Sequence, residues 1–90
     1  MSALFVKCDV RTGLFKTEYL VSVPPGANNF YIDRTDVKVS KAPIGNETVD
    51  GMVLAYLIED GPNEAVVEMT GTPVDGGLRI SVPKAMTRAA

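Results

Sequence analysis

The 90-residue chain is long enough for one domain and too short for two, and its 46% hydrophobic and 22% charged residues are those of a globular chain. Three Phe, three Tyr and no Trp leave the core to rest on Val, Leu, Ile and Met. A net charge of −2 names no polyanionic partner, and the lone Cys8 excludes an internal disulfide framework.

Turn residues punctuate the chain at short intervals, and the segments between them are rich in Val, Ile, Thr, Tyr and Phe, which predicts short strands in a sandwich or small barrel. The first two strands are expected as a hairpin with a tight turn at Thr12-Gly13. That register sets Leu4 against Val21, Val6 against Tyr19, Cys8 against Thr17 and Val10 against Phe15 on one face. The other face then holds two ion pairs, Lys7 with Glu18 and Asp9 with Lys16, each worth about 0.2–1 kcal/mol. Phe5 faces Leu20 on this charged side, with Leu14 near the turn. Large apolar groups there need a cover, either the rest of the fold or a second subunit.

A third strand is expected over 30–33, continuing over 37–40 after a turn or bulge at Arg34-Thr35-Asp36. A fourth spans 49–59. Its run 52–58 is apolar on both faces, as a central strand would be, although Leu, Ala and Met there also suit a two-turn helix. The turn Asp60-Gly61-Pro62-Asn63 and the return 64–69 favour strand. The last strand covers 78–82 and Pro83 closes it, leaving 84–90 as a short tail. The expected fold is a single all-β domain over 1–90: a small antiparallel β-barrel or barrel-like sandwich of about six strands, with two three-stranded meanders as one way to build it. Shifting the chain by 50 aligns only Leu4 with Leu54, Glu18 with Glu68 and Gly26 with Gly76, no more than chance supplies.

The longest apolar run, seven residues, falls far short of the roughly 20 needed to span a bilayer as a helix. No positively charged start precedes an apolar stretch, so a cytoplasmic location without membrane contact is expected. The triplet Asn46-Glu47-Thr48 marks a surface loop. Charge is uneven: residues 1–41 carry six basic and four acidic side chains, and residues 42–90 carry three and seven. Such a distribution is what an ordinary solvated surface shows, and it would also suit two copies meeting head to tail.

The chain has no histidine. Ser-His-Asp and Cys-His catalysis are therefore unavailable, and one Cys without His cannot build a zinc site. Cys8 on an apolar face stays protonated and packs as core. Glu59, Asp60, Asn63 and Glu64 cluster at one turn, but without calcium-loop spacing they serve to keep a hairpin tip soluble. The stretch Gly71 to Leu78 has Gly77 and Leu78 where a phosphate loop needs Lys and Ser or Thr, and reads as a turn. No enzyme activity, cofactor or metal is expected.

What is left is binding. The apolar trio Phe5, Leu14 and Leu20, ringed by Lys7, Lys16 and Glu18, has the layout of a protein contact. It would serve a protein partner or a second copy in a homodimer. The alternative is a single-stranded nucleic-acid binder of OB-like or SH3-like form, using Phe5, Lys7, Arg11, Lys16, Tyr31 and Arg34. Against it stand Asp9 and Glu18 on the same face and a pI near 4.9.

Overall fold

A computed structural model describes residues 2–90. Nine strands alternate with turns: β1 (Ala3–Thr12), β2 (Glu18–Val23), β3 (Asn28–Asp33), β4 (Val37–Val39), β5 (Val49–Asp60), β6 (Glu64–Met69), β7 (Thr72–Pro73), β8 (Arg79–Pro83) and β9 (Thr87–Ala89). Single 3-10 turns, Arg34–Asp36 and Lys84–Met86, lead into β4 and β9. All pairings are antiparallel, in the order β7-β3-β2-β1-β5-β6-β8, with β4 added to β5 and β9 to β1. The sheet curls into a half-barrel.

Alternation decides what the curl encloses. Val6, Cys8 and Val10 of β1, Val21 and Val23 of β2, and Val53 and Ala55 of β5 are fully buried, together with Phe30, Ile32, Val67 and Val82. Branched aliphatics pack well on a pleated, half-buried surface, which favours strand over helix for 52–58. Each fully buried Val or Ile contributes about 1.5–3 kcal/mol of transfer free energy.

The first hairpin is not the tight one expected. Val10 pairs with Val21 and Thr12 with Tyr19, and residues 13–17 form a five-residue loop. The ion pairs Lys7–Glu18 and Asp9–Lys16 therefore do not form, and Phe15 is 68% exposed instead of packed on Val10. The reason is competition. One edge of β1 pairs with β5 over eight positions, and on the other edge Thr87–Ala89 of β9 take Leu4, Phe5 and Val6, which leaves β2 only Asp9 to Thr12. The displacement is an even number of residues, so each side chain keeps its face. The tail also departs from expectation, since Thr87–Ala89 pair with Leu4, Phe5 and Val6.

The pairing reveals an internal twofold. β1 to β4, with the first 3-10 turn, match β5, β6, β8 and β9 with the second. Val6 corresponds to Val53, Val21 to Val67, Phe30 to Ile80 and Val37 to Thr87, shifts of 47, 46, 50 and 50 residues. Val6 and Val53 are each other's Cα partners, so the axis passes between them. Val37 sits on Val53 just as Thr87 sits on Val6, so each half lends its last strand to the other.

Candidate interaction site

On the outer face, side chains line up in rows across the strands. Arg88, Phe5 and Leu54 form one row, and Lys7, Met52 and Lys38 the next. Then come Asn29, Ser22, Asp9 and Asp50, and after them Tyr31, Leu20 and Arg11. Phe5 and Leu20 thus belong to opposite ends of β1. Phe5 and Arg11, the partner of Leu20, are six residues apart, roughly 20 Å along a strand. The six residues Phe5, Lys7, Leu14, Lys16, Leu20 and Glu18 do not form one patch.

They divide into two groups. Phe5 and Lys7 lie near the twofold, with Phe5 half-buried and the Lys38 ammonium 4.5 Å above its ring centroid. Leu20 is half-buried and lines a depression of about 370 Å³ with Arg11, Thr12, Gly45 and Asn46. Both apolar groups thus find their neighbours within the chain. Leu14, Lys16 and Glu18 lie at the other end, in and beside the loop after β1, with Leu14 71% exposed.

That loop is held firmly. The Glu18 N–H donates to the Phe15 carbonyl at 3.2 Å, and the Arg34 N–H donates to the Thr17 carbonyl at 3.0 Å. Gly13 packs so closely that a Cβ would stand 2.7 Å from the Glu18 carbonyl oxygen. A second loop comes to the same end, where the Thr12 hydroxyl donates to the Gly45 carbonyl at 3.0 Å. It is anchored by buried Pro43, by the Glu47 N–H to the Ile44 carbonyl at 3.0 Å, and by the Lys41–Glu47 ion pair at 3.2 Å. Ile44, at its tip, is 76% exposed. Two ordered turns thus hold Leu14, Phe15 and Ile44 out in water. Sequence reasoning assigned Phe15 to the core and passed over Ile44. The available signal was a bulky apolar residue inside a Pro-Ile-Gly-Asn turn, where solubility alone favours a polar one.

Two titratable groups, Cys8 and Asp33, are shifted by their neighbours. Burial pushes the Cys8 thiol up to about 12, with the Asp9 and Asp50 carboxylates adding to the effect. Asp33 accepts from the Thr35 N–H at 2.9 Å and its hydroxyl at 2.8 Å, which holds its carboxyl below the usual range and caps the 3-10 turn. Asp60 pairs with Lys84 at 2.7 Å, so one acid of the β5–β6 tip is tied to its own chain. Among the described residues, no cluster of three or more Cys, Asp or Glu is close enough to hold a metal ion, and no helix is long and apolar enough to cross a membrane. The aromatics and cations considered for nucleic acid are dispersed. Arg34 stacks 4.5 Å from the ring centroid of buried Tyr19, and the Asp9–Asp50 pair lies between the Lys7 and Arg11 rows.

Comparison with known proteins finds no matching family, no matching curated protein and no matching solved structure.

Proposed function

We propose that the protein is a non-catalytic interaction module that docks onto a protein partner through the apolar end formed by Leu14, Phe15 and Ile44. The observation that carries this reading is the exposure of the three side chains, 71%, 68% and 76%, on two hydrogen-bonded turns. Covering one such side chain yields about 1.5–3 kcal/mol. Because the turns are already ordered, little of that gain is spent on immobilising them. Lys16, exposed on the same loop, supplies a charged rim. The nucleic-acid reading has less support, because a strand laid along β1 would cross the carboxylates of Asp9 and Asp50.

A photo-crosslinking residue in place of Phe15, installed in the producing cells, tests this. A discrete protein adduct is expected, absent when the same residue replaces Arg79 and lost when Leu14→Asp is added. The absence of any adduct at position 15, or an equal yield at position 79, would overturn it. Leu14→Asp is expected to change stability by no more than about 0.5 kcal/mol, as for other exposed sites.

A further inference from the structure

We propose that two copies of this chain associate about a twofold axis, outer sheet face against outer sheet face, the basic end of each lying over the acidic end of the other. This contact uses a different face from the loop end and stands without it.

The basic end sits on the internal twofold. Lys38 and Arg88 occupy equivalent positions of the two halves, one opposite Met52 and the other opposite Phe5, with Lys7 between them on β1. Lys7, Lys38 and Met52 line an open depression of about 450 Å³, with Arg88 at its edge and Asp50 as its one acid among the described residues. None of the three cations forms an ion pair with a described carboxylate.

The acidic end is built on the same face of the same sheet. A bulge between Leu57 and Glu59 turns Glu59 to the outer side, opposite Val66. Glu64 lies on that side too and accepts from the Ser81 hydroxyl at 3.3 Å. Neither Glu59 nor Glu64 pairs with a described Lys or Arg. Between the two ends lie half-buried Leu54, Tyr56 and Val66, with the Glu68–Arg79 ion pair flanking Tyr56.

The polarity of this face is self-complementary. Met52 and Glu59 are seven residues apart on β5, about 23 Å along the strand. Screening acts over about 8 Å at physiological ionic strength, so Glu59 and Glu64 cannot reach the basic end of their own copy, where the cations Lys7, Lys38 and Arg88 outnumber the neighbouring carboxylates Asp9 and Asp50. A second copy, turned by 180° about an axis near Tyr56, sets cations on carboxylates at both ends and apolar side chains on apolar side chains in the middle. Such a contact is isologous: every pairing occurs twice. The apolar centre and charged rim match a specific interface, and the opposed charges fix its orientation.

Charge reversal tests the arrangement by sedimentation equilibrium on the full chain, with circular dichroism to check that each variant is folded. The wild type should be a dimer whose dissociation constant rises about tenfold or more between low salt and 1 M salt. The basic-end variant, Lys7→Glu with Lys38→Glu, and the acidic-end variant, Glu59→Lys with Glu64→Lys, should each be monomeric. Mixed together they should form a 1:1 heterodimer, because one copy is then acidic at both ends and the other basic at both. Leu14→Asp should leave the dimer intact, which separates this contact from the loop end. A wild-type monomer at millimolar concentration, a salt-insensitive dimer, a variant that still dimerises alone or a mixture that stays monomeric would each overturn it.

Discussion

Cys8 lies next to the outer carboxylates in sequence and pairing but on the opposite face of the sheet. Its side chain points to the core, fully buried, while Asp9 beside it and Asp50 across the pair point outward. Moving the thiol from its ordinary value of 9.0 to about 12 lowers its thiolate fraction near neutral pH roughly a thousandfold. Removal from solvent slows it further. Iodoacetamide should therefore label native Cys8 only through opening of the sheet, at a rate that climbs through the urea transition. Complete labelling within minutes in buffer alone would show that β1 is not packed as described. Burial of this residue was legible from its position in an alternating strand. The two carboxylates that reinforce the effect were not, because Asp50 reaches Asp9 only through a pairing 41 residues long in sequence.

At the level of elements, strand positions followed from alternation and turn residues, while their partners did not. Alternation assigns a face to each side chain, and the faces of β1 and β2 hold although the register does not. Register depends on which strand takes each stretch of an edge, and the one that takes Leu4 to Val6 from β2 is β9, distant in sequence. The contact expected of Phe5, Leu14 and Leu20 depended on that register and separates into two ends. β7 and β9 have two or three residues each, too short for any periodicity, whereas β4 falls within the strand expected over 37–40. Gly71 carries a requirement of the same long-range kind. It passes so close to β3 that a Cβ would lie 2.0 Å from the Tyr31 carbonyl oxygen, a rigid backbone atom that cannot step aside. Next to it, Thr72 pairs with Tyr31 and Pro73 with Phe30. Gly71→Ala should force β7 from β3 and cost about 1–3 kcal/mol, read as a lower urea midpoint at unchanged slope. Gly77→Ala is the control, since a Cβ there meets nothing within 4 Å. Equal effects of the two substitutions would contradict the close approach.

For the whole molecule, the internal twofold separates positions that both halves share from positions that only one half carries. Both halves supply the same buried positions, Val6 with Val53 and Ile32 with Val82, and even an equivalent outer side-chain contact, Ser22 with Asn29 and Glu68 with Arg79. They differ in the core, where buried Phe30 and Val37 answer to half-buried Ile80 and Thr87, and in their turns, where the loop after β1 carries Leu14 and Phe15 and the turn after β5 carries Pro62 and Asn63. No uniform shift of the sequence exposes the relation, because unequal loops change the shift from 46 to 50 along the chain. The exchange of β4 and β9 has a mechanical consequence. Each half leaves Val6 or Val53 without its covering strand until the other arrives, so neither can complete a core alone. The link between them, residues 40–48, holds the halves at an effective concentration on the order of millimolar. Fragments 1–44 and 45–90 should therefore lack a cooperative transition when separate. Mixed in equal amounts near that concentration, they should recover the β circular dichroism of the intact chain, with a midpoint that rises with concentration. A fragment that folds as a stable monomer by itself, or a mixture that stays unfolded, would show that the exchanged strands do not tie the halves together.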